Sequence, residues 1–132
     1  MNDGQRLDGF GVERYGILQW EALLRLSTVA ECATRNGAPV CVAGMSEPWP
    51  GMAIVWATVG RESGPSMIPI MRRIVRTMQS RTHVRRFQTT VRLDFLQGHR
   101  WAAMLGFRPE CTMERYDQHG QPHVLYARIF ER

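Results

Sequence analysis

The stretch Gly51–Met78 limits the choice of folds more than any other part of the chain. It reads GMAIVWATVG, then RESGPS, then MIPIMRRIVRTM. In the first block Ile54, Val55 and Trp56 favour an extended strand. From Met67 the period changes. Met67, Ile70, Met71, Ile74, Val75 and Met78 fall at helical spacing, and Arg72, Arg73 and Arg76 take the other face. A loop entering a helix leaves backbone N–H groups without internal partners, at the positive end of the helix dipole. Such a place suits a phosphate or another anion. Ser63, Gly64 and Ser66 offer unhindered amides and Arg61 a charge, while Pro65 removes one donor.

The rest of the chain supplies elements to set around this unit. Residues 1–16 form a poorly patterned amino-terminal segment, with a short strand expected in Phe10–Tyr15. Ile17–Arg35 reads as a helix, with Ile17, Leu18, Ala22, Leu23, Leu26, Val29, Ala30 and Ala33 on one face. Asn36-Gly37 then serves as its stop. Pro39–Met45 is an apolar strand, and Glu47–Gly51 a loop because two prolines flank Trp49. The helix from Met67 runs to about Arg81. Val84–Leu93 alternates as a strand, Leu96–Leu105 is a short helix stopped by Gly106, and Cys111–Tyr116 and His123–Phe130 flank the turn residues Asp117–Gln121. The expected class is α/β: a mixed sheet with helices on both faces and a C-terminal β-hairpin, in one domain spanning residues 1–132.

Composition removes several function classes. All 17 basic residues are Arg, at a net charge of +5, so no Lys is available for a phosphate loop of the GxxxxGK[ST] kind or for a Schiff base. No apolar run approaches the roughly 20 residues that span a bilayer. The polar start lacks the pattern of a signal peptide, and a cytoplasmic protein is expected. Cys32, Cys41 and Cys111 are far apart and read as small buried apolar residues. Cys111, His119 and His123 match no strong ligand spacing, so no metal is assigned. Arg72, Arg73, Arg76, Arg81, Arg85 and Arg86 form a dense basic run with only Phe87 as an aromatic; a solvated face is favoured over nucleic-acid binding.

The sharpest local pattern is Trp101-Ala102-Ala103-Met104-Leu105-Gly106-Phe107, an apolar helix end, a Gly stop and an aromatic entering the next strand. Together with Arg61-x-x-Gly64-x-Ser66, it resembles the GCN5-related N-acetyltransferase (GNAT) superfamily. That family joins a strand to a helix through Q/R-x-x-G-x-G/A and ends a later helix in Leu-Gly-Phe. Gln97-Gly98-His99-Arg100-Trp101 before this ending looks like the acetyltransferase-like proteins of bacteriophages and prophages. The resemblance covers residues 37–132. It implies acetyl-CoA bound along the strand ending near Val59, with its pyrophosphate on the N–H groups of Arg61–Ser66; the cofactor-binding residues would be Val59, Arg61, Glu62, Ser63, Gly64, Ser66 and Met67. The acetyl group would sit where that strand parts from Val84–Leu93. The family pattern departs at Ser66, where Gly or Ala is preferred, and at Ala102, where a Tyr often serves as acid. Tyr116 and Tyr126, on the closing hairpin, are the catalytic candidates that remain. The amino-terminal part is shortened.

Two readings stand side by side. One is an acetyl-CoA-dependent N-acetyltransferase, encoded by a phage or prophage and acting on a small-molecule or protein amine. The other is a non-catalytic phage protein of the same fold that assembles into a virion or binds a host or virion partner. Nothing in the sequence selects an oligomeric state.

Overall fold

The computed structural model describes residues 7–10, 28–60 and 67–132. Seven strands form one mixed sheet: β1 (Leu7–Phe10), β2 (Val29–Arg35), β3 (Ala38–Trp49), β4 (Met52–Gly60), β5 (Arg86–Arg92), β6 (Arg108–Met113) and β7 (His123–Ile129). Helix α1 (Met67–Ser80) links β4 to β5, and α2 (Leu96–Met104) links β5 to β6. The strand order is β2-β3-β4-β5-β7-β6, with β1 added on β4. Among the described residues only β4 and β5 pair in parallel, as a crossover through a helix requires.

Helix α1 forms as the periodicity demands. Met67, Met71, Ile74 and Met78 are buried in a core shared with Ala53, Val55, Phe87 and Val91. Trp101, Ala102 and Leu105, at the end of α2, join the same core. The Leu-Gly-Phe pattern has a clear mechanical basis. Gly106 takes φ +88°, its N–H bonds to Ala103 O, and the N–H of Phe107 bonds to Ala102 O. This pair of reversed bonds is a Schellman stop, with buried Leu105 and Phe107 on either side of the glycine.

The carboxyl-terminal residues satisfy both helix ends. Arg132 donates to the carbonyls of Met78, Gln79, Arg81 and Val84. Arg128 donates to Leu105 O at 2.7 Å. Both guanidinium groups also lie over the Phe130 ring, at 4.2 and 4.6 Å from its centroid.

The amino-terminal half corrects two expectations. Val29–Arg35 is a strand paired antiparallel with β3, not the end of a helix. Asn36 and Gly37 both have positive φ, 51° and 80°, and join Arg35 to Ala38 as a two-residue hairpin turn. That is the backbone of a type I′ turn, which Asn-Gly favours. The remainder of the expected helix, residues 17–27, lies outside the described residues, as do residues 11–15 of the expected first strand; the strand observed there is Leu7–Phe10. Glu47–Trp49 likewise extends β3 rather than forming a loop. A register shift between Ser46 and Trp49 accommodates Pro48, and the turn is confined to Pro50-Gly51. Among the cysteines Cys41 is buried, and burial pushes its thiol up to about 11, but Cys32 and Cys111 are exposed.

Candidate functional site

The site begins with how β4 and β5 separate. They pair at Met52↔Arg86, Ala53↔Phe87 and Ile54↔Gln88, and no further. Beyond Gln88, β5 continues as the partner of β7 through Arg92↔His123. β4 continues as the partner of β3 through Val59↔Cys41. The edge of β4 that faces β5 therefore leaves its neighbour after Ile54, and a gap opens toward the start of α1.

The strands that flank this gap carry two residues with buried hydroxyls. Thr89, the first β5 residue past the last pair, is 1% exposed, and Thr58 on the outer half of β4 is 2% exposed. Neither Oγ1 has a hydrogen-bond partner among the described residues. An orphaned buried hydroxyl costs about 1–3 kcal/mol, so each is a polar demand that a bound group could meet. Strand alternation sets Thr89 on the helix-covered face with Phe87 and Val91, and Thr58 on the other face with Trp56.

Across β5 from the gap, Tyr126 stands opposite Thr89. Its hydroxyl lies 2.6 Å from His99 Nδ1, on the first turns of α2. His99 Nε2 faces the carbonyls of Arg92 and Leu93 at 3.1 and 3.0 Å. Carbonyls only accept, so Nε2 carries the proton and Nδ1 is the acceptor. Tyr126 therefore donates to His99. Burial pushes the phenol above its ordinary value, and it stays protonated at neutral pH. This tie fixes α2 over β7. His99 entered the sequence reading only as part of the Gln97–Trp101 pattern, and Thr58 and Thr89 only as strand formers.

Tyr116 sits elsewhere. It is 51% exposed near the tip of the β6–β7 hairpin and packs on His123, ring centroids 4.9 Å apart. His123 is buried, with Nε2 3.0 Å from Asp117 Oδ2. Asp117 also accepts from the N–H groups of His119 and Gln121. Burial pushes this carboxyl up, but the bonds from His123, Gln121 and His119 outweigh it and hold it at about 2. The structure thus separates the two tyrosines instead of bringing them to one centre. Ala102, at the place of the family's frequent Tyr, is fully buried and offers no proton.

Of the expected cofactor residues, Val59 is the penultimate residue of β4, and Met67 opens α1 with its side chain buried. Arg61, Glu62, Ser63, Gly64 and Ser66 lie outside the described residues. The basic run is broken up. Arg73 makes a two-pronged pair with Glu31, Arg81 pairs with Glu47, and Arg86 grips Glu110 through two nitrogens. Arg72, Arg76 and Arg85 remain exposed with no partner among the described residues. At the opposite end of β4, exposed Trp49 lines a cleft of about 410 Å³ with Met52, His83, Arg85 and Arg86. Among the described residues no three His, Cys, Asp or Glu side chains gather as metal ligands, and no helix is long and apolar enough to cross a membrane.

No family model matches the sequence, and no curated protein does. Solved structures do match in shape. Ard1 from Thermoplasma volcanium superposes with a TM-score of 0.79 at 16% identity, over 92% of this chain and 84% of that one. The IAA acetyltransferase from Bacillus cereus gives 0.74 at 11% identity, over 96% and 99%. The chain has the GNAT fold. A third neighbour, a putative acetyltransferase from Salmonella typhimurium solved with its cofactor acetyl-CoA, gives 0.70 at 12% identity, over 87% and 72%. In this chain the parting of β4 from β5 lies between the strands that carry Thr58 and Thr89.

Proposed function

We propose that the protein is an acetyl-CoA-dependent N-acetyltransferase acting on a small-molecule or protein amine. The observation that carries this reading is the separation of β4 and β5 after Ile54↔Gln88, bordered by the unsatisfied hydroxyls of Thr58 and Thr89. The gap fits an extended chain bearing amides, which would take the β4 edge that Leu7–Phe10 now occupies and meet two hydroxyls without partners among the described residues. Val59 and Met67 bracket the loop Arg61–Ser66, which would hold the pyrophosphate at the start of α1. When bound, the cofactor supplies an acetyl thioester: the amine nitrogen bonds to its carbonyl carbon, the carbon–sulfur bond breaks, one proton leaves the amine and one reaches the thiolate. Tyr126 is the phenol set opposite the gap-lining Thr89, and His99 holds its hydroxyl in place; Tyr116, on the hairpin, is the second candidate. The structural neighbour solved with acetyl-CoA supports this choice of cofactor.

A second reading is a non-catalytic protein of the same fold, serving a virion or host partner. Ala102 in place of an acid favours it, as does a strand already seated on the β4 edge. The bacteriophage association rests on the stretch Gln97–Phe107, and a bacterial cytoplasmic setting goes with it. Calorimetric titration with acetyl-CoA, followed by transfer assays on a panel of amines, separates the two. Binding at 100 times Kd stabilises the fold by about 2.7 kcal/mol through mass action, which a thermal melt reads directly. Absence of heat and of any melting shift at millimolar cofactor removes the first reading.

A further inference from the structure

The gap contains a strand of this chain. β1 pairs antiparallel with β4 at Leu7↔Gly60, Asp8↔Val59, Gly9↔Thr58 and Phe10↔Ala57. The other edge of β4 at these positions is taken by β3, through Ala43↔Ala57, Val42↔Thr58 and Cys41↔Val59. β1 must therefore lie on the edge that faces β5, within the gap, where it also approaches β5 and α2. Its four residues cover the outer half of β4 just where β5 has left it.

This placement has a chemical consequence. The pantetheine arm of coenzyme A is an extended chain with two secondary amides, so it offers donors and acceptors much as a short strand does. It and β1 would draw on the same N–H and C=O groups of residues 57–60. A strand of four residues paired on one side is also a weak holder, because so few pairings anchor it. Resting on the acetyl-CoA reading above, we infer that Leu7–Phe10 is a displaceable plug of the cofactor slot. The chain rests with its own strand on β4, and coenzyme A binds as that strand leaves. The plug lowers apparent affinity by the fraction of molecules in which it is open. Regulation then acts on the amino terminus: anything that draws this segment away raises cofactor affinity without touching the slot.

Hydrogen exchange on the full chain, with and without saturating coenzyme A, tests the plug. The expected result is that the amides of Leu7–Phe10 exchange at least several-fold faster when coenzyme A is bound, while those of Ala57–Gly60 stay protected by the new occupant. Coenzyme A binding that leaves Leu7–Phe10 as protected as before overturns the plug and leaves the acetyltransferase reading standing. A full-length variant carrying Asp8→Pro and Gly9→Pro supplies the second arm, since proline cannot donate to the ladder. It should bind coenzyme A about tenfold more tightly than the parent, as removal of a closed state that dominates tenfold requires. Equal affinity overturns the plug. No binding by parent or variant at millimolar coenzyme A overturns the acetyltransferase reading, and the plug with it. Should the variant fail to fold, as judged by its thermal melt, the exchange result on the parent decides.

Discussion

The inner and outer halves of β4 have similar residues and different surroundings. Met52–Ile54 is held on one edge by β3 across its bulge and on the other by β5, and Ala53 and its partner Phe87 have no exposed surface. Ala57–Gly60 keeps β3 on one edge, but on the other it meets only β1. Nothing in the run Met-Ala-Ile-Val-Trp-Ala-Thr-Val-Gly marks the change. The difference comes from β5, which stays with β7 along its whole length and leaves β4 after three pairs. A slot thus arises from the path of a neighbour, and the strand that lines it remains ordinary.

If the inner half anchors the sheet and the outer half is replaceable, substitutions in the two should differ in cost. The largest effect is expected from Phe87→Ala, which empties a fully buried site at the paired end. It should cost about 3–5 kcal/mol in urea unfolding. Arg132→Ala should cost about 2 kcal/mol, because it strips four carbonyl contacts from the end of α1 and the connection to β5, at that same inner end. The Asp8→Pro and Gly9→Pro pair should cost about 1.4 kcal/mol, the tenfold preference of β1 for the outer half of β4. An outer-half cost equal to that of Phe87→Ala would break the contrast.

The β6–β7 hairpin makes the fold sensitive to acid through Asp117. Asp117 is held at about 2 in the fold, against about 3.9 for a free carboxyl. A carboxyl depressed in this way contributes stability above about pH 4 and loses it as pH falls toward about 2. Asp117→Asn should lower the melting temperature near pH 6 and flatten the fall between pH 4 and 2. An acid limb that keeps its parent slope in the variant would assign that loss to other carboxylates.

Elements with a strong one-sided pattern were legible in the sequence. The methionine and isoleucine face of α1, the alternation of β5 and the glycine stop after α2 each state their structure locally, and they account for the sheet's carboxyl-terminal half. Val29–Arg35 was not legible, because Ala30 and Ala33 suit a helix and Asn36-Gly37 ends helices as well as hairpins. The separation of the β strands was expected from the family likeness, but the occupant of the gap was not. β1 lies about fifty residues from its partner in sequence, and nothing within Leu7–Phe10 names that partner. The orphaned state of Thr58 and Thr89 was equally hidden, since it depends on what neighbouring strands leave unpaired.

We propose that the outer half of β4 and the facing part of β5 form an acetyl-CoA slot. Titration of labelled protein with acetyl-CoA, followed amide by amide by NMR, tests it most directly. Shifts are expected at Ala57–Gly60, at Thr89 and Thr90, and at Leu7–Phe10, with Met52–Ile54 unmoved. Shifts centred on Trp49, His83 and Arg85, or none at millimolar acetyl-CoA, would contradict it.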